Sequence, residues 1–118
     1  MHKVIVAGSR GFNDYELLEQ ELHKFLSGKN IIETEIVSGT ARGADQLGEK
    51  LAKEYNLKLT RMAADWETYG KSAGYRRNAE MAKYADACIV FWDGASKGTK
   101  HMIDLAKREG LDLKIVEY

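Results

Sequence analysis

A chain of 118 residues and 13.3 kDa has the size of one compact domain, since domains usually run to about 100–150 residues. Its composition is 44% apolar and 31% charged, with 18 Lys and Arg offsetting 18 Asp and Glu; this suits a globule and argues against both a disordered tail and a protein that coats polyanions through a uniform positive field. The longest apolar run, residues 87–92, falls far short of the ~20 residues of a bilayer crossing, and no charged-then-apolar leader precedes Val4, so no membrane association and a cytoplasmic location are expected.

In chain order, the first element is a short buried strand, Val4-Ile5-Val6-Ala7, bounded by Gly8. An amphipathic helix follows, with Tyr15, Leu18, Leu22, Phe25 and Leu26 on one face and Glu16, Glu19, Gln20, His23 and Lys24 on the other. Asn13 is its expected cap, with Glu16 three residues on, and Gly28 its stop. Ile36-Val37 is a second strand leading into Ser38-Gly39, and Ala44, Leu47, Gly48, Leu51, Ala52 and Tyr55 form the stripe of a second helix. Residues 57–62 and 113–116 alternate apolar with polar positions, which places both strands toward the sheet edges.

Residues 63–73 read as a long connection carrying Trp66 and Tyr69, which either pin it to the domain or serve a ligand. Helices are expected over 74–84 and over 98–108, the latter closed by Gly110. Between them runs the strand around Ile89, in which the single cysteine, Cys88, is a core residue and not a nucleophile. No linker or repeat divides the pattern, so residues 1–118 form a single domain. Strands alternating with helices predict an α/β domain with a mainly parallel, five-stranded sheet.

In such sheets ligands sit outside the carboxyl ends of the strands. Three loops that follow strands are rich in glycine: Gly8-Ser9-Arg10-Gly11, the stretch from Ser38 through Gly39, Thr40 and Arg42 to Asp45, and the stretch from Asp93 through Ser96 and Lys97 to Gly98-Thr99. Glycine permits close backbone approach, and helix-start amides present partial positive charge to an anion. Arg10, Arg42 and Lys97 add full charges, and Ser9, Ser38, Thr40, Ser96 and Thr99 add hydroxyl donors. The implied guest is a phosphorylated metabolite. Neither a Walker-type phosphate loop nor a Gly-x-Gly-x-x-Gly occurs, so ATP hydrolysis and a standard dinucleotide site lack motif support. No motif calls for a cofactor, and no His, Cys or Asp cluster has metal-ligand spacing.

These blocks resemble the SLOG superfamily of Rossmann-like domains, named for SMF/DprA and LOG proteins, and within it the YspA-type, YpsA-related family. The resemblance rests on Gly8-Ser9-Arg10 with Phe12 and Asp14, on Val37 through Asp45, and on Ala64-Asp65-Trp66 with Tyr69-Gly70-Lys71. It continues through Ala73-Gly74 with Arg77-Asn78, and Phe91 through Gly94 with Ser96 through Thr99. It implies a Rossmann-like three-layer sandwich whose loops bind a nucleotide or a nucleotide-derived molecule, as a sensor or a sequestering module. It further implies that Gly8, Ser9, Gly98 and Thr99 contact phosphate and that Arg10, Arg42 and Arg77 supply charge. Asp45 would hydrogen-bond a ribose hydroxyl, and Trp66 or Tyr69 would cover a base. Gly39, Thr40, Asn78, Asp93 and Ser96 complete the candidate ligand-binding set. Asp45 also reads as a helix-start residue favoured by the dipole, Asp93 as a brace of its own loop, and Lys71 as a surface residue.

Relatives of the LOG type carry Gly-Gly-x-Gly-Thr-x-x-Glu and hydrolyse the bond between base and ribose phosphate. Here Met102 stands where that glutamate would be, and a thioether neither stabilises an oxocarbenium-like centre by charge nor activates water. The expectation is therefore a binding module. The alternatives are an N-glycosidase or nucleoside-transferring enzyme using Asp45, Asp93 or Asp104, and a DNA-processing accessory protein, against which the charge balance argues. His101, alone on a helix's first turn, reads as a surface or capping residue. A chain this short has little room to enclose a nucleotide, so a homo-oligomer is expected.

Overall fold

The computed structural model describes all residues, 1–118. Strands β1 (His2–Gly8), β2 (Thr34–Ser38), β3 (Lys58–Arg61), β4 (Ala87–Trp92) and β5 (Asp112–Glu117) form one sheet in the order β3-β2-β1-β4-β5, parallel at every pairing. The alternating segments 57–62 and 113–116 are indeed the two edges. The central strands carry continuous apolar runs because both of their faces are covered. Helices α1 (Tyr15–Phe25) and α2 (Ala44–Glu54) lie on one face, and α4 (Ala73–Tyr84) and α5 (Lys97–Arg108) on the other. Right-handed crossovers require this division when the chain winds outward from β1 on one side and returns to β4 on the other.

The strand alternation sorts the core into two layers. Val4, Val6, Ile36, Ile89 and Phe91 meet Leu18, Leu22 and Leu51 of α1 and α2. Ile5, Ala7, Val37, Cys88 and Val90 meet Met81, Ala82, Met102 and Ile103 of α4 and α5. The result is a Rossmann-like three-layer sandwich. No helix is long and apolar enough to cross a membrane.

Two local readings are corrected. The cap of α1 is Asp14, not Asn13: the helix begins at Tyr15, the first residue of its apolar stripe, and the Asp14 carboxylate just before it accepts from Leu17 N at 3.0 Å. The connection over 63–73 is not irregular throughout. It contains a short helix, α3 (Trp66–Tyr69), capped by Asp65 accepting from Thr68 N at 3.1 Å, and a 3-10 turn over Gly70–Ser72.

Strand β2 also buries a carboxylate, Glu35, which is only 1% exposed. It accepts from Thr60 at 2.7 Å and from the Tyr84 hydroxyl, and it pairs with Lys58 at 3.2 Å. Burial by itself raises the pKa of this group, but the hydrogen bonds from Tyr84, Thr60 and Lys58 outweigh it and hold Glu35 below the usual carboxylate range. Removing one donor leaves a buried charge short of a partner. Tyr84→Phe is expected to cost about 1.5–3 kcal/mol, read from urea unfolding at neutral pH.

Candidate functional site

The strand order reverses between β1 and β4, and their carboxyl ends open a crevice at that switch point. Its two loops are tied together. Ser9 N donates to Phe91 O at 2.9 Å, and Asp93 N donates to Ser9 Oγ at 3.2 Å. Phe12 stacks on Phe91 at 4.7 Å between ring centroids and anchors the loop after β1. Gly8 allows this closeness, since a Cβ there would stand 2.3 Å from Phe91 O. The loop after β4 is braced by Asp93, whose carboxylate accepts from Ala95 N at 2.9 Å and Ser96 N at 2.8 Å. Those two backbone bonds hold its pKa below the ordinary carboxylate value. Ser96 then caps α5, accepting from Thr99 N.

Above these loops lies a cavity of about 240 Å³. Of the fifteen residues expected to bind ligand, Gly8, Arg10, Asp45, Trp66, Arg77, Asn78, Ser96, Gly98 and Thr99 line it. Gly39, Thr40 and Arg42 line an adjoining cavity of about 420 Å³, which shares Arg10, Ala41, Trp66 and Arg77 with the first. Ser9, Tyr69 and Asp93 line neither. Ser9 is buried in the loop junction, Asp93 is turned into its own loop, and Tyr69 is exposed with the Arg76 guanidinium 4.3 Å over its ring.

Arg77 is the best-fixed cation. Its guanidinium is half-buried, donates through Nε to Asn78 Oδ1 at 2.9 Å, and donates through Nη1 to Gly39 O. Burial lowers its pKa and the nearby Arg10 pushes in the same direction, while Asp45 opposes them. Asp45 sits at the start of α2 and is 5% exposed. Burial is the main reason its pKa rises, from 3.8 to about 6, against the lowering effects of the Ala41 amide and the Arg77 charge. Both groups press on Gly39: a Cβ there would lie 2.9 Å from Arg77 Nη1 and 2.9 Å from Asp45 Oδ2. None of Arg10, Arg42, Arg77 and Lys71 takes part in an ion pair. The arrangement is an excess of positive charge around a cavity with one carboxylate at its wall.

The family model for the YspA, cpYpsA-related SLOG family (YAcAr) matches residues 2–69. Gene 61 protein of Mycobacterium phage D29 is 36% identical over 121 residues, covering 94% of this chain and 93% of that one. The chain belongs to the YspA, cpYpsA-related SLOG family. Its fold matches the X-ray structure of DNA processing protein A (DprA) from Streptococcus pneumoniae, with a TM-score of 0.77 at 20% identity. That match covers 98% of this chain and 50% of the DprA chain, so this SLOG domain spans about half the length of the DprA structure. Membership in the SLOG family is compatible with a nucleotide-related function.

The SLOG cleft also uses residues that the sequence reading left out or assigned elsewhere. Lys71, Gly74, Tyr75 and Met81 line it, and Met102, 1% exposed, forms part of its wall. Gly74, Arg77, Asn78 and Met81 have the i, i+3, i+4, i+7 spacing of one helical face, so the inward side of α4 was recoverable from the periodicity. His101 is half-buried between α4 and α5 and does not line the cleft. Its Nδ1 lies 3.4 Å from Asn78 Nδ2, and its ring meets Tyr75 edge-on at 4.4 Å between centroids. Burial is the main cause of its lowered pKa. No group of three or more His, Cys, Asp and Glu side chains is placed to hold a metal ion.

Proposed function

We propose that the switch-point cleft binds a nucleotide or a nucleotide-derived phosphorylated small molecule, and that the domain acts as a sensor or sequestering module. The observation that carries this reading is the convergence of Arg10 and Arg77, both without an ion-pair partner, with the first turn of α5 around one cavity. The partial positive charge of that helix start and the hydroxyls of Ser96 and Thr99 suit phosphate oxygens. Met81 and Met102 offer an apolar wall to a base, and Trp66, 52% exposed at the rim, offers a face for stacking. Asp45 accepts from a sugar hydroxyl.

Mass spectrometry of small molecules released from natively purified protein tests the reading. The expected result is a phosphorylated, ultraviolet-absorbing compound that rebinds unchanged. A preparation free of such compounds, which also fails to bind any of the common nucleotides in calorimetry, overturns it. One observation favours a second reading: Asp45 is the single carboxylate lining the cleft, and a pKa of about 6 suits a general acid near neutral pH. Under that reading the rebound compound yields free base on chromatography.

A further inference from the structure

The two cavities are not independent. They share Arg10, Ala41, Trp66 and Arg77 as a common wall, and they differ in what lies on either side of it. The first side carries the apolar groups Met81, Met102 and Tyr75, together with Lys71 and the start of α5. The other side holds Arg42 and Thr40 beside Gly39, Ala63 and Ala64, and apart from the shared Trp66 it carries no apolar side chain larger than alanine. One compartment is suited to a planar, partly apolar group, and the other to a charged, hydrated one.

The junction itself is cationic. Arg77 lies against the Gly39 backbone, which accepts its Nη1 hydrogen bond, so its guanidinium sits on the ridge between the compartments. Thr40, next to that ridge, has a φ of 66°, a left-handed conformation that is a rare outlier for a β-branched residue. Strain of this kind persists where surrounding structure enforces it, as at binding sites. Arg42 is exposed and lines only the second compartment. A ligand with one phosphate at the Arg10–Arg77 ridge leaves Arg42 unanswered. A second anionic group beyond that phosphate meets it.

Building on the nucleotide-binding reading above, we infer that the ligand carries two successive anionic groups, as a nucleoside diphosphate or a nucleotide esterified through its distal phosphate, and that Arg42 selects it over the monophosphate. In this arrangement the base occupies the Met81–Met102 side, the first phosphate lies between the start of α5 and the Arg10–Arg77 pair, and the second reaches Arg42. Arg42 acts here as a specificity determinant, adding a charge-assisted hydrogen bond that the monophosphate lacks.

The test is calorimetry with matched pairs of mono- and diphosphates of adenosine, guanosine, cytidine and uridine. For a base that binds, the diphosphate is expected to bind about tenfold more tightly than its monophosphate, the range of one charge-assisted hydrogen bond. Arg42→Ala should weaken the diphosphate about tenfold more than the monophosphate, closing that gap. Lys71→Ala, on the first compartment only, should weaken both alike. Equal affinity for the two members of a pair overturns the inference while leaving nucleotide binding intact, as does an Arg42→Ala variant that loses both equally. Failure of every pair to bind overturns the nucleotide reading and this inference with it. Circular dichroism of each variant confirms that the fold is retained.

Discussion

Gly43→Ala lowers stability by roughly 3 kcal/mol or more. Two independent causes act there. The residue has φ 79° and ψ −126°, a region that side chains other than glycine's rarely occupy. Its Cβ would also stand 2.4 Å from Ser9 O, 2.6 Å from Arg10 O and 2.8 Å from Arg10 C, all backbone atoms that cannot swing aside. Relief requires the loop after β2 to part from the loop after β1, and those loops form neighbouring walls of the two cavities. Differential scanning calorimetry should record a fall in melting temperature of about 10 °C or more. Gly11→Ala is the control: nothing lies within 4 Å of its Cβ and its φ is not positive, so it should unfold close to the parent. A Gly43→Ala protein that melts with the parent would refute the close approach of these loops.

Asp45→Asn works in the opposite direction and raises stability near neutral pH. Burial is the principal reason the carboxyl holds its proton up to about pH 6 in the folded chain, against 3.8 ordinarily. Between those values the native state binds more protons than the unfolded state, so stability falls as pH rises through this window. Below about pH 3 both states are protonated and the group contributes no penalty. Above pH 6 the full penalty applies, up to ~3 kcal/mol from the difference between the two pKa values. Asparagine carries no charge to desolvate and keeps an acceptor for the Ala41 amide at 3.2 Å. The variant should therefore gain much more over the parent at pH 7.5 than at pH 4, in urea titrations at both. A gain that is the same at both pH values would show that Asp45 is not held as a costly buried charge.

Much of this architecture was legible before any coordinates. Val4–Ala7 and Ala87–Trp92 are apolar without alternation because helices cover both faces of β1 and β4, whereas the alternation in residues 113–116 reflects the edge position of β5. The glycine loops were legible because their chemistry is local. What escaped depends on tertiary placement. Nothing local to Glu35 marks it as buried, and only Tyr84, 49 positions away, and Thr60 explain its burial. α3 has four residues, too few for any periodicity, although Asp65 three positions before Thr68 carried a capping signal. Ser9 has the residue type of a ligand contact but spends its hydroxyl on the Asp93 amide, whereas the bracing of its own loop by Asp93 was already a reading of the sequence. Asn13 and Asp14 are both competent caps, and sequence alone does not separate neighbours.

The hydrogen bond from Asp93 N to Ser9 Oγ joins positions 84 residues apart, and the cleft it supports draws on segments from Ala7 to Met102. No single strand, helix or loop of the polypeptide therefore contains the pocket. Loss of any one layer dissolves it, so a guest molecule acts by mass action on the whole folding equilibrium, adding ~2.7 kcal/mol at a hundredfold excess over its dissociation constant. Occupancy should slow amide hydrogen exchange in β5, which contributes no residue to either cavity, as well as in the loops that touch the guest. A thermal-shift screen of metabolite libraries would exploit that coupling directly, with the unfolding of the entire domain serving as the reporter.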